Sequence, residues 1–197
     1  MALTLNGSNN TIAGLAVGGL PDGIVDTDMI AAEAVVAGKI GNGGIIQIVQ
    51  TVKTDMTSQS SSTTWADISG ISVTITPNSN SNKILVIPDL GLGSNDMSNY
   101  HLMWRLLRGS SAIGVSTAAT DSDLTGTGGM HRGGSGAAAY FFGHSKMFLD
   151  SPGTTSATTY KCQWSANDAG GTLYLNRRGS NDSAGSISTI TAIEVVA

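Results

Sequence analysis

From residue 45 onward, apolar and polar side chains alternate with period two in short runs separated by Gly, Asn and Ser turns. Ile71, Val73 and Ile75 alternate with Ser72 and Thr74. Leu102, Trp104 and Leu106 alternate with Met103 and Arg105, and Tyr160, Cys162 and Trp164 with Lys161 and Gln163. Successive side chains of a strand point to opposite faces, so this period belongs to strands with one buried face. Further apolar runs at 45–52, 83–88, 112–115, 140–142, 146–149, 173–175 and 187–196 bring the expectation to nine or ten short strands. Many short strands between turn signals predict an all-β fold, a jelly-roll-like β-sandwich head over residues 45–197, rather than βαβ units.

The pattern also predicts where the chain turns. The polar runs 58–62 (SQSSS) and 77–82 (PNSNSN) read as turns, because Asn and Ser bond their own backbone. Residues 120–136 (TDSDLTGTGGMHRGGSG) read as a long Gly- and Ser-rich tip loop, far longer than a connection of about 4–6 residues. Trp65, Trp104 and Trp164 could act as sugar-stacking platforms, but each is expected in an alternating strand and in the core, with Cys162 a small buried apolar group. As the only cysteine, it forms no intrachain disulfide.

Residues 1–44 follow another pattern. They hold no aromatic residue, and their apolar groups, among them Leu3, Leu5, Ile12 and Leu15, are small and scattered. A weak repeat of ten aligns Val25 with Val35 and Ile30 with Ile40, while Ile24 to Ile40 also reads as an amphipathic helix. Either way the segment holds too little apolar mass to offset its own chain entropy. It is expected to be a non-globular attachment and assembly segment, ending in the hinge Gly41-Asn-Gly-Gly44, with Leu3, Leu5, Ile12, Leu15, Ile24, Val25 and Ile30 as its contact residues.

Charge constrains partners. Only 12% of the 197 residues are charged, against about 25% in an average domain. A chain with so little charge is expected to cover part of its surface with other chains, here copies of itself. The net charge of −4 and the lack of a basic stripe argue against a nucleic-acid partner. No early run joins basic residues to a long apolar stretch, and no apolar segment approaches the roughly 20 residues that span a bilayer, so neither a signal peptide nor membrane insertion is expected.

Motifs for catalysis are missing. There is no GxSxG elbow, and Gly91-Leu-Gly93 is a lone GxG in an expected loop. His131 and His144 flank the Gly-rich loop near Asp121 and Asp123, but the spacing matches no metal-ligand pattern. The expectation is therefore no enzyme, no cofactor and no metal. The loop is expected to face outward and offer Asp121, Asp123, Met130, His131 and Arg132 to a receptor, since loops on a rigid scaffold commonly carry recognition.

Several ordered blocks resemble a known family. Residues 3–23 (LTLNGSNNTIAGLAVGGLPDG), 45–53 (IIQIVQTVK), 79–86 (SNSNKILV), 149–161 (LDSPGTTSATTYK) and 187–195 (ISTITAIEV) resemble fibre-like virion proteins of marine bacteriophages, notably cyanophages. The resemblance implies a homotrimer with an N-terminal virion-attachment part and a β-rich head. It further implies a tail fibre or short spike contacting host-surface polysaccharide or protein. The alternative is a capsid decoration, head-fibre or cement protein. In both cases the partners are copies of itself and other virion proteins, the location is the virion, and assembly takes place in the host bacterial cytoplasm. No catalytic residue transfers.

Overall fold

The computed structural model describes residues 4–6, 11–13, 39–60, 63–95, 101–117, 125–131, 140–166, 171–179 and 184–197. The chain divides into two units, 1–40 and 41–197. In the first, β1 (Thr4–Asn6) and β2 (Thr11–Ala13) pair antiparallel with Leu5 opposite Ile12. Leu3, Leu15, Ile24, Val25 and Ile30 lie outside the described residues.

The second unit is all-β. Its strands are β3 (Ile45–Lys53), β4 (Thr57–Ser60), β5 (Ala66–Ile75), β6 (Lys83–Ser94), β7 (His101–Arg108) and β8 (Ser111–Ile113). There follow β9 (Gly128–His131), β10 (Tyr140–Ser145), β11 (Phe148–Asp150), β12 (Thr158–Ala166), β13 (Thr172–Leu175) and β14 (Ser188–Val195). They form two antiparallel sheets, the expected jelly-roll-like β-sandwich. One runs β3-β14-β6-β13-β4, with β10 and β11 also pairing β6; the other runs β5-β12-β7-β8, with β9 also pairing β7. No helix among the described residues is long and apolar enough to cross a membrane.

The alternation fixes which face is buried. Ile71, Val73 and Ile75 of β5, Tyr160, Cys162 and Trp164 of β12, and Leu102, Trp104 and Leu106 of β7 point inward from one sheet. Ile84, Val86, Leu90 and Leu92 of β6, Leu173 and Leu175 of β13, and Ile190 and Ala192 of β14 meet them from the other. Burying each larger side chain contributes about 1.5–3 kcal/mol. The Cys162 thiol is buried as expected, and burial pushes its pKa up.

Several strand expectations need correction. β6 does not stop at Pro88 but continues through Gly91 and Gly93, so the GxG is strand and not loop. A side chain at Gly91 would collide with Ser186 and Phe141, whose side chains cover that part of the strand. The 58–62 run is not simply a turn, since β4 pairs there with β13 and Gln59 accepts from the Trp164 indole at 2.8 Å. Trp65 precedes β5 instead of lying in a strand, and it is only half-buried.

The expected tip loop is also partly strand. Gly128 lies opposite Trp104, Gly129 opposite Met103 and His131 opposite His101. The pairing needs glycine: a Cβ at Gly128 would sit 2.7 Å from the Trp104 indole nitrogen and 2.9 Å from Cε2. Trp104 is fully buried and has nowhere to go. Gly128→Ala is therefore expected to destabilise the fold by about 1–3 kcal/mol, read as a lower urea midpoint at unchanged slope. An unchanged midpoint would show that β9 is not seated on β7.

Candidate assembly surface

β3 shows how the sequence builds one exposed face. Ile46, Ile48 and Val52 share a face, and it is the outward one: Ile48 is 60% exposed and Val52 48%. The inward positions are Gln47, Val49, Thr51 and Lys53. They are largely polar because β3 lies beside the edge of β5. Thr51 Oγ1 donates to the Ser72 carbonyl at 2.7 Å, and Gln47 Nε2 to the Thr76 carbonyl at 2.8 Å. Side chains of one sheet thus satisfy backbone acceptors on the edge of the other, which would otherwise be a template for strand addition.

The apolar face of β3 continues across its sheet. Ile48 lies opposite Ile193, Ile193 opposite Leu85, and Leu85 opposite Leu149. At about 4.8 Å per strand, this four-strand row spans about 14 Å. Leu149 is 50% exposed, and Ile193 and Leu85 are half-buried. Met147, 71% exposed, precedes β11, and Ile45 lies opposite Val195. The row contains no charge.

Behind this face, three buried polar groups hold the strands in register. Glu194 of β14 faces inward, fully buried. Its carboxylate accepts from Gln47 Nε2 at 2.6 Å, the Asn78 amide at 2.7 Å, Asn78 Nδ2 at 3.0 Å and Asn82 Nδ2 at 2.7 Å. Burial raises its pKa, but the four N–H donors together outweigh that and hold the carboxyl below its ordinary value. Asp150 of β11 accepts from Arg108 Nη1 at 2.9 Å on both oxygens and from the Tyr160 hydroxyl at 2.7 Å, tying the sheets together. Burial first, and then the Asp150 contact, raise the Tyr160 pKa, so the phenol keeps its proton. Asn176, at φ 65°, donates to the carbonyls of Lys53 and Asp55 and accepts from Ser188 Oγ.

The outer face of the second sheet is polar. Register places Asp67 opposite Gln163 and Gln163 opposite Arg105. Arg105 Nε and Nη2 donate to Gln163 Oε1 at 2.9 and 2.7 Å, Gln163 Nε2 donates to Asp67 at 2.7 Å, and Lys161 donates to Asp67 at 2.7 Å. The Arg105 guanidinium stacks 4.4 Å from the Trp65 ring centre.

Two of the five expected receptor residues lie among the described residues. Asp121, Asp123 and Arg132 lie outside the described residues. Met130 and His131 lie in β9, opposite Leu102 and His101. His131 and His144, expected to flank one loop, sit on strands of different sheets, since His144 of β10 lies opposite Leu90. Burial first, and then Lys146, lower the His144 pKa, and its Nε2 has no hydrogen-bond partner among the described residues. Among the described residues no group of three His, Cys, Asp or Glu converges on a common point. The apolar row and the polar row escaped the sequence reading because both are made by register between distant strands.

No protein-family model matches the chain, and no curated protein matches it. Solved structures of infectious bursal disease virus are similar to it. The Gx-strain structure is 13% identical, covers 76% of this chain and 42% of its own, and has a TM-score of 0.33. The Gt-strain structure is 13% identical and covers 79% and 39%, with a TM-score of 0.35. The VP2 subviral particle is 13% identical and covers 77% and 37%, with a TM-score of 0.33. The chain thus spans about two fifths of the length of those chains.

Proposed function

We propose that this chain is a structural protein of a bacteriophage virion, in which the β-sandwich assembles with two further copies of itself. Residues 1–44 join that assembly to other virion proteins, and the head faces the host as a tail fibre or short spike. No catalytic step belongs to this reading. The observation that carries it is the uncharged row Ile48–Ile193–Leu85–Leu149 on an outer sheet face. A monomer leaves such a patch in water, whereas a partner copy removes it, contributing about 25 cal/mol for each Å² covered. The low charge of the chain and its resemblance to fibre-like phage proteins support the same reading, and the resemblance supplies the number three.

Light scattering of the full chain at micromolar concentration tests it, with three chain masses expected. The double variant Ile48→Lys, Leu149→Lys is expected to run as a monomer with its cooperative unfolding transition kept, because both side chains are exposed. A monomeric parent overturns the assembly. A trimer that survives both lysines puts the contact elsewhere.

A further inference from the structure

We propose that the outer face of the β5-β12-β7 sheet is a glycan-binding surface, centred on Trp65, Arg105, Gln163, Asp67 and Lys161. This deepens the host-facing part of the reading above and rests on it. Three observations carry it.

The first is preorganisation. Asp67, Gln163 and Arg105 come from three adjacent strands and are joined side chain to side chain at 2.7–2.9 Å. Polar pairs on a partly exposed sheet face contribute little to stability. What the network does is hold planar polar groups in one fixed arrangement, so a ligand need not order them.

The second is spare hydrogen-bonding capacity. A guanidinium carries five N–H groups, and two of those of Arg105 go to Gln163. The others have no acceptor among the described residues. The Lys161 ammonium directs one contact to Asp67, and Asp67 keeps lone pairs on both oxygens. Donors and acceptors therefore alternate along the row, which suits vicinal hydroxyls, each of which both donates and accepts. Arg105 covers one face of the half-buried Trp65 indole, and the remaining exposed part of the ring supplies apolar surface for the C–H face of a sugar ring.

The third is shape. The β5–β12 register jumps from Ser72 opposite Lys161 to Asp67 opposite Gln163, so residues 68–71 bulge out of the strand around Gly70, at φ 82°. Beside the bulge opens a cleft of about 310 Å³, lined by Asp67, Lys161 and the exposed Ser69 and Ser72. Bulges commonly re-aim side chains next to sites. The cleft is an extension of the row, with hydroxyls on its wall.

The test uses the full chain, with neutral, uronate-bearing and sulfated oligosaccharides as probes, titrated calorimetrically on samples whose mass is measured in parallel. The parent is expected to bind at least one class. Trp65→Ala and Arg105→Ala are each expected to weaken that binding at least tenfold, while Thr74→Ala, on the same sheet face beyond the row, leaves it unchanged. Absence of binding by a parent that is trimeric overturns the glycan surface and leaves the assembly intact. Binding by a monomeric parent, lost in the two variants, supports the surface while the trimer fails. Binding undiminished in both variants overturns the location.

Discussion

Replacing Glu194 with glutamine is expected to cost the fold about 3 kcal/mol at neutral pH. Four N–H groups converge on this carboxylate, and among the described residues no cation accompanies them. Glutamine presents an NH2 group to these donors, of which Gln47 Nε2 alone also reaches another acceptor among the described residues, the Thr76 carbonyl, and Glu194 itself is fully closed to water. The loss should depend on pH. The folded carboxyl titrates below the ordinary 4.5, so its stabilisation is complete above about that pH and disappears as the pH falls through the lower, folded value. The variant lacks the titrating group, so the gap between parent and variant should narrow in acid. Urea midpoints at pH 7 and pH 3 measure both effects. Equal midpoints at pH 7 would show that the donors find other partners.

Asp150→Ala is expected to cost a similar amount, about 3 kcal/mol, for a different reason. It removes the carboxylate from a buried phenol and from Arg108, which keeps only the Ser151 carbonyl at 3.3 Å, and leaves Tyr160 with an unpaired hydroxyl inside the core. Tyr160→Phe alone should cost only about 1 kcal/mol. In the Asp150→Ala background the same change should be neutral or restorative, because it removes the orphaned group. Additive losses in the double variant would mean that the two residues do not act as a unit.

The parts of the fold legible in the sequence are those that local alternation determines. Trp104, Trp164 and Cys162 point inward because their neighbours alternate with them, and each is buried. Parts determined by contact with a distant strand were not legible. Gly91 and Gly93 read as loop because glycine is a poor strand former, yet Phe141 and Ser186 occupy the space a side chain at Gly91 would fill. Gly128 and Gly129 read as a flexible tip, whereas their lack of side chains is what lets β9 lie against Trp104 and Met103. The candidate surfaces follow the same division. Ile48, Leu85, Leu149 and Ile193 are unremarkable separately, and only strand register brings them into one row. Nothing in the local sequence of Trp65 marks Arg105, forty residues on, as its neighbour.

The pairing of β3 with β14 also has a mechanical consequence. The first and last strands of the body lie side by side, with Val195 opposite Ile45. A pull on Ile45 directed along β3 acts against the ladder of that strand with β14. Rungs from Val195 to Ser188 then share the load in shear, whereas a pull across the strands would peel them one at a time. The inward side chains of β3, bonded to the Ser72 and Thr76 carbonyls, add a second line of attachment along the same strand. Forced unfolding is governed by the barrier to leaving the native state and not by its equilibrium stability. Pulled along β3, the sandwich is thus loaded in the direction in which its strand pairing yields last.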